Sequence, residues 1–404
     1  MATDNYQSRY WDMEWVGKLP TDWEFIKNRY IFNFNHGKIN LSNDTPVLSL
    51  TTTGVKIKTN LNFGKSTENY VGHQLVFPGD LVFTPRDFDQ TPILSGVAKE
   101  YGCISNLYFV MKTKKEIYNE FVNYFWWGIK YGIEYFKEFS YGMRSSFNRF
   151  QFNEITFIKP PIETQKKIVS YLDKKTKMIA LIIEKKKKLI ELLKEKRISI
   201  ITQAVTKGLD PKAKMKPTGV EWIGEIPTNW KAKRFKFIAS MQYGESLSTE
   251  IRELGDVEVY GSNGPVGTHS NANTKTPVII VGRKGSFGAI NLIHKKVFAI
   301  DTTYYIDRRC TNAELTWLNF VMIAAKLNDI SVDTGVPGLS REIVYNKAFP
   351  FPEINEQKNI SSFLINITNK LEQTINKNLK IMERLLEYRS SLIYNAVTGK
   401  IKVN

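Results

Sequence analysis

At 404 residues the chain exceeds what one hydrophobic core usually supports, so two or more domains are expected. With 57 Lys plus Arg against 40 Asp plus Glu, the formal net charge of +17 makes a polyanion the default partner, nucleic acid first. The 42% hydrophobic content excludes a disordered basic tail, and two lone cysteines (Cys103, Cys310) exclude a disulfide framework. The expectation is a globular protein of a reducing cytoplasm.

The N-terminal stretch "MATDNYQSRYWDMEW" has no apolar core behind a basic start, and no run of 18 apolar residues follows anywhere, so neither export nor membrane insertion is expected. The first distinctive string is "WVGKLPTDW" (Trp15 to Trp23). From about Gly37 to Thr156, short β-rich runs such as "LVFPGDLVF" alternate with Gly, Asn, Thr and Pro turns, which predicts a mixed domain with a loop-bearing face. Ile162 to Thr206 then lacks Gly and Pro and spaces apolar residues by three and four (Ile168, Leu172, Ile179, Ile182, Leu189, Leu193). Pro161 stands before this stretch and Gly208 after it, as befits the ends of a long amphipathic helix.

After the linker "KGLDPKAKMKPTG" (Lys207 to Gly219) the chain repeats itself. "WIGEIPTNW" (Trp222 to Trp230) matches the first box at five of nine positions, 207 residues later. A second β-rich region covers about Gly244 to Ala348, and Ile354 to Thr398 reads as a second long helix (Ile360, Leu364, Ile367, Leu371, Ile375). At an offset of 192 the two helical stretches share 19 of 45 residues without a gap, which establishes a duplication. The β-rich regions between do not align, so the frame reads as repeated and the insert as variable. A helix of this length needs a partner, and its own copy is the obvious one. Lysines 175, 186 and 196 interrupt the heptads, so the expectation is an antiparallel pair with solvated stretches. The fold class expected is α+β: two mixed domains separated by two long helices forming an antiparallel coiled coil, a pseudo-twofold internal repeat. The boundaries are 1–156 and 222–348 for the mixed domains, 157–206 and 349–404 for the helices, and 207–221 for the linker. Two different readers on one scaffold suit a split, asymmetric DNA site.

The order of "GVEWIGEIPTNW", "VYGSNGPVGTH", "IIVGRKGSFG", "AIDTTYYI" and the paired helix starts at Gln165 and Gln357 resembles the specificity subunit of type I restriction-modification enzymes over essentially the whole chain. The first domain matches through "VLSLTTTGV", "FPGDLVF" and "GCISNLYFV". The resemblance implies two target recognition domains, and helices that dock two DNA adenine methyltransferase subunits, with restriction subunits joining outside. S-adenosylmethionine, ATP and magnesium would belong to those partner subunits and none to this chain.

Given that context, polar residues on strand-connecting loops are candidates for phosphate and base-edge contacts with double-stranded DNA. In "GRKGS", Arg283, Lys284 and Ser286 sit among glycines that allow close approach, and the string lacks the "GK[ST]" ending of a phosphate-binding loop. "YGSNGPVG" adds Tyr260, Ser262 and Asn263. The first domain offers Thr52, Thr53, Lys56 and Lys58, then Arg86 and Gln90, then Arg144, Ser145, Ser146, Asn148 and Arg149; Asp87 reads better as a turn carboxylate. The tract "EKKKK" (Glu184 to Lys188) reads as a solvated helical stretch. His36, His73, His269 and His294 are scattered without metal-ligand spacing, and no serine elbow, nuclease cluster or Asn-Pro-Pro-aromatic tetrapeptide is present, so catalysis by the chain itself is not expected. The competing reading is a structural coiled-coil scaffold that binds nucleic acid through its charge without reading it; a fused nuclease or methyltransferase is the third.

Overall fold

The computed structural model describes residues 19–34, 38–51, 54–59, 69–88, 91, 93–132, 146, 148–329 and 338–403. The chain divides into two compact units, unit 1 (Met1–Lys186 with Lys380–Asn404) and unit 2 (Lys187–Leu379). Each unit takes part of both long helices, whereas the sequence boundaries set those helices apart as segments of their own.

Unit 1 runs through β1 (Glu24–Lys27), α1 (Asn28–Ile31), β2 (Phe32–Phe34), β3 (Leu48–Thr51), β4 (Gly54–Ile57), β5 (Gln74–Val76) and β6 (Leu81–Phe83). It continues with β7 (Ser95–Val97), β8 (Gly102–Ile104), β9 (Phe109–Thr113), α2 (Asn119–Gly132), α3 (Arg149–Glu154) and β10 (Thr156–Lys159), then enters α4 (Ile162–Lys207). Its main sheet has the order β2-β9-β6-β7, with β1 pairing β10 separately. Buried aromatics of the sheet and of α2 and α3, among them Phe83, Phe125, Trp126 and Phe152, share one core with Ile168 and Leu172 from the start of α4. Leu392, Ile393 and Val397, from the end of α7 (Ile354–Val397), lie in the same core.

Unit 2 holds β11 (Met215–Pro217), β12 (Glu225–Pro227), β13 (Lys231–Arg234), β14 (Gln242–Tyr243), β15 (Val257–Gly261), β16 (Gly264–His269) and β17 (Val278–Gly282). It goes on with β18 (Ile290–Ile293), β19 (Phe298–Ala299), β20 (Thr303–Asp307), α5 (Leu315–Ala324), α6 (Arg341–Asn346) and β21 (Ala348–Phe351). The main sheet is β14-β20-β17-β18, and β13 pairs β21 as β1 pairs β10. Strand for strand this is the order of unit 1. The inserts that do not align as sequence therefore share a sheet, which corrects the reading of the repeat as frame alone. Within the linker Met215–Pro217 forms β11, paired antiparallel with β12 of the second box, Met215 opposite Pro227. Among the described residues no helix is long and apolar enough to cross a membrane.

Within unit 1 the start of α4 meets the end of α7; within unit 2, Ile201 and Val205 from the end of α4 share a core with Ile360 and Leu364 from the start of α7. In both units the two helices thus run antiparallel, as expected. The buried spacing mixes intervals of seven, Leu172 to Ile179 and Gln357 to Leu364, with intervals of eleven. Ile179, Ile190 and Ile201 are buried at intervals of eleven, as are Leu364 and Ile375, while Ile182 and Leu189 of the expected stripe are 40% and 42% exposed.

Both helix starts are fixed by a buried glutamine. The Gln165 amide donates to the Pro160 carbonyl at 2.7 Å and to Glu116 O at 3.0 Å, and its Oε1 accepts from Tyr118 N at 2.8 Å. Gln357 donates to Pro352 O at 2.9 Å and accepts from Glu314 N at 2.9 Å. The helix ends are alike too. Gly208 and Gly399 follow with φ of +74° and +73°, a conformation that disfavours side chains, and a Cβ at Gly399 would lie 2.7 Å from Pro20. The first box therefore closes on the end of α7, and the second, through Trp230 and Pro227, on the end of α4.

Leucine at position 165 or 357 would leave a buried N–H and a proline carbonyl without partners, at about 1–3 kcal/mol per orphaned group. Each variant should unfold at a lower temperature than the parent in differential scanning calorimetry; an unchanged transition would show that the amide is dispensable.

Candidate nucleic-acid interface

In unit 2 the chain leaves the fully buried strand β17 at Gly282 and turns outward through Arg283, Lys284, Gly285 and Ser286. The turn is pinned at one acceptor: Thr302 O receives Arg283 N at 2.9 Å, Lys284 N at 3.2 Å and the Ser262 hydroxyl at 2.5 Å. Ser262 is thus a buried brace between two loops rather than a surface contact. Asn263, beside it, is exposed, and its Oδ1 accepts from the Ser286 hydroxyl at 3.5 Å. Tyr260 is half-buried; burial and then the Glu258 carboxylate hold its phenol above the ordinary range, so it stays protonated beside Glu258, which is ion-paired to Lys295 at 2.5 Å.

Arg283 does not swing freely. Its guanidinium lies 4.9 Å from the ring centre of Tyr243 and 5.9 Å from that of Tyr304, and Nη1 donates to Asp301 O at 3.1 Å. The same Tyr243 ring carries a second guanidinium, that of Arg341 at 4.5 Å, which also lies 5.6 Å from Tyr345 and donates to Met241 O at 3.2 Å. Burial, and next the Tyr243 phenol, push the Tyr304 hydroxyl up, so it remains a donor, to Leu339 O at 3.1 Å. Two planar cations against one aromatic ring, with Lys284, Ser286 and Asn263 exposed beside them, make a positive, hydrogen-bonding surface suited to a polyanion.

Unit 1 builds a related place with other side chains. Arg86 follows β6 as Lys284 follows β17, and is exposed. Its main chain forms a single antiparallel bridge with Ser146, and that of Lys284 forms one with Gly338. In each case the bridge partner stands three residues before the first residue of a six-residue helix, Arg149 of α3 or Arg341 of α6. Asn148 caps α3: its Oδ1 accepts from Gln151 N at 2.8 Å while Gln151 Oε1 accepts from Asn148 N at 2.9 Å. Asp87 holds a turn with φ of +50°. Lys56 is exposed on β4 opposite Ser49, and Lys58 follows that strand with its N–H on Val47 O. Thr52, Thr53, Gln90, Arg144 and Ser145 lie outside the described residues.

The structure thus gathers Arg283, Lys284, Ser286 and Asn263 into one surface and gives Ser262 and Asn148 local structural bonds. Tyr243 and Arg341 were not singled out from sequence. A signal for Arg341 existed, since the offset of 192 that aligns the helices also aligns it with Arg149. His269 is structural, its Nδ1 accepting from Glu253 N at 3.1 Å. Among the described residues no group of three His, Cys, Asp or Glu is placed to hold a metal ion.

Residues 227–381 match the family model described as the type I restriction modification DNA specificity domain, a stretch that contains every unit 2 residue of the surface above. No curated protein matches the chain significantly. Of the solved structures, a chain from work on complex assembly and conformational transition of the type I R-M system is similar with a TM-score of 0.75 at 12% identity, over 95% of this chain and 100% of that one. The HsdS subunit from Thermoanaerobacter tengcongensis follows with a TM-score of 0.56 at 12% identity, over 95% and 98%. At such identities the likeness is one of fold.

Proposed function

We propose that this chain is a type I restriction-modification specificity subunit that reads a split, asymmetric DNA site, with each unit's mixed domain reading one half; the match of residues 227–381 to the DNA specificity domain supports the reading. The observation that carries this reading is the repeated sheet with unlike loops. The same strand order presents Arg86 in one unit and Arg283 with Lys284 in the other, so a common frame offers different hydrogen-bonding groups. Direct readout of base edges depends on such side chains, whereas phosphate contacts only position the protein.

The helices would set the gap between the half-sites and dock two methyltransferase subunits, with restriction subunits joining the assembly. The apolar residues left on α4 and α7, such as Met178, Leu181, Leu192 and Phe363, favour a protein partner along them. S-adenosylmethionine, ATP and magnesium would be held by those partners, in the cytoplasm, and this chain would supply the address. A scaffold that binds nucleic acid by charge alone is the second reading, and the net charge of +17 favours it only in part. Charge does not require planar cations held on rings.

The test is single-molecule sequencing of adenine methylation in a methylation-free host that expresses the chain with its methyltransferase subunit. Methylation at one split motif, absent without this chain, is expected; methylation indifferent to the chain in an assembled complex would favour the scaffold. Replacing Arg283 and Lys284 with Ala should weaken binding to duplexes carrying the half-site read by unit 2, by about 1–3 kcal/mol for a lost bidentate base contact. Titration of such duplexes by fluorescence anisotropy reads the change, and equal affinity would remove both residues from the site. Inserting one helical turn into α4 and α7 should alter the tolerated gap in the methylated motif; a fixed gap would refute the ruler.

A further inference from the structure

Arg149 and Arg341 occupy matching places in the two units. Each is the first residue of a six-residue helix, each stands three residues after the bridge to the loop that bears the candidate reading residues, and they are 192 residues apart, as are the long helices. Each stacks on the last aromatic of its sheet's edge strand: Arg149 lies 4.3 Å from the Phe34 ring centre, and Arg341 lies 4.5 Å from that of Tyr243. Arg149 is exposed and Arg341 half-buried. Stacking fixes the plane of a guanidinium, so less freedom is lost when it meets an anion.

The rest of the recognition loops differ between the units, and these arginines do not. If the two units read unlike base sequences, a residue kept in both does not account for the difference between them. What two unlike half-sites share is the sugar-phosphate backbone. We propose that Arg149 and Arg341 are a pair of phosphate anchors, one per unit, that seat each recognition loop on the duplex without contributing to its sequence preference. The inference rests on the DNA-reading function proposed above. Arg341 shares the Tyr243 ring with Arg283, so in unit 2 the anchor and the candidate reading residue are parts of one stack.

The experiment uses the full chain co-expressed with its methyltransferase subunit, as parent, Arg149→Gln, Arg341→Gln and Arg341→Lys, titrated with the methylated motif and with a scrambled duplex over a series of salt concentrations. Each Gln variant should lose affinity for both duplexes by the same factor, and the slope of log K against log salt should become shallower by about 0.9 for each lost phosphate contact. Arg341→Lys, which keeps the charge, should retain most of the slope. An unchanged slope in a Gln variant with parental thermal stability would overturn the proposal and leave the stacks structural. Loss of preference for the motif over the scrambled duplex would overturn it in favour of base reading, and loss of the methyltransferase subunit on purification would overturn it in favour of a protein contact. If the parent itself shows no preference for any motif, the DNA-reading function fails, while the slope on scrambled duplex still decides whether the arginines touch phosphate.

Discussion

A primary amide can donate and accept at once, and the architecture of both units depends on two glutamines that do so while buried. Gln165 and Gln357 are 0% and 1% exposed, and each ties three pieces of its unit together at the first turn of a long helix. One end of the amide holds the carbonyl of a proline that cannot continue the helix, and the other receives the main-chain N–H that leads into the shorter helix packed on the sheet. In a low-dielectric interior an unmade bond at either end is costly, so the direction in which each long helix leaves its unit is narrowly defined. Without that junction, two helices of 46 and 44 residues would have no fixed relation to the sheets they serve.

The far ends are fixed by packing together with local hydrogen bonds. Thr206 and Thr398 are buried and return their hydroxyls to carbonyls four residues back, and the glycine just beyond lets the chain turn against a tryptophan box. In unit 2 that box follows the helix directly in the chain, while in unit 1 the box comes from one end of the sequence and the helix from the other. The same contact is thus made once locally and once across the whole chain. Between these fixed ends Ile182 and Leu189 are exposed on either side of the lysine tract.

Much of this was legible in sequence, for identifiable reasons. Helical periodicity is local, and a gapless duplication keeps it in register, so both long helices were readable to within a residue or two of their observed ends. Strand order was not readable, because strands of three to five residues carry little pattern and β2 must find β9, with Asn33 paired to Lys112 across 79 positions. For the surface, "GRKGS" was visible because glycine flanks its charges, but nothing in "MQYGES" indicates that Tyr243 would carry two guanidiniums from residues 40 and 98 positions distant. Ser262 shows the opposite error: a hydroxyl on a glycine-rich turn resembles a surface contact, yet its partner is the carbonyl that also anchors Arg283.

That carbonyl explains how one sheet can carry unlike recognition loops. At Thr302 O the bonds that shape the loop come from main-chain N–H groups and a buried serine, so the outward side chains are not needed to hold the turn. In unit 1 the corresponding turn is shaped by a positive φ at Asp87 and by the main-chain bridge from Arg86 to Ser146. When backbone bonds set a loop's path, its exposed side chains can change with little cost to folding, since surface substitutions away from such bonds seldom shift stability by more than about 0.5 kcal/mol. The chemistry of the exposed loops can then diverge between the two units while the strand order beneath them stays the same.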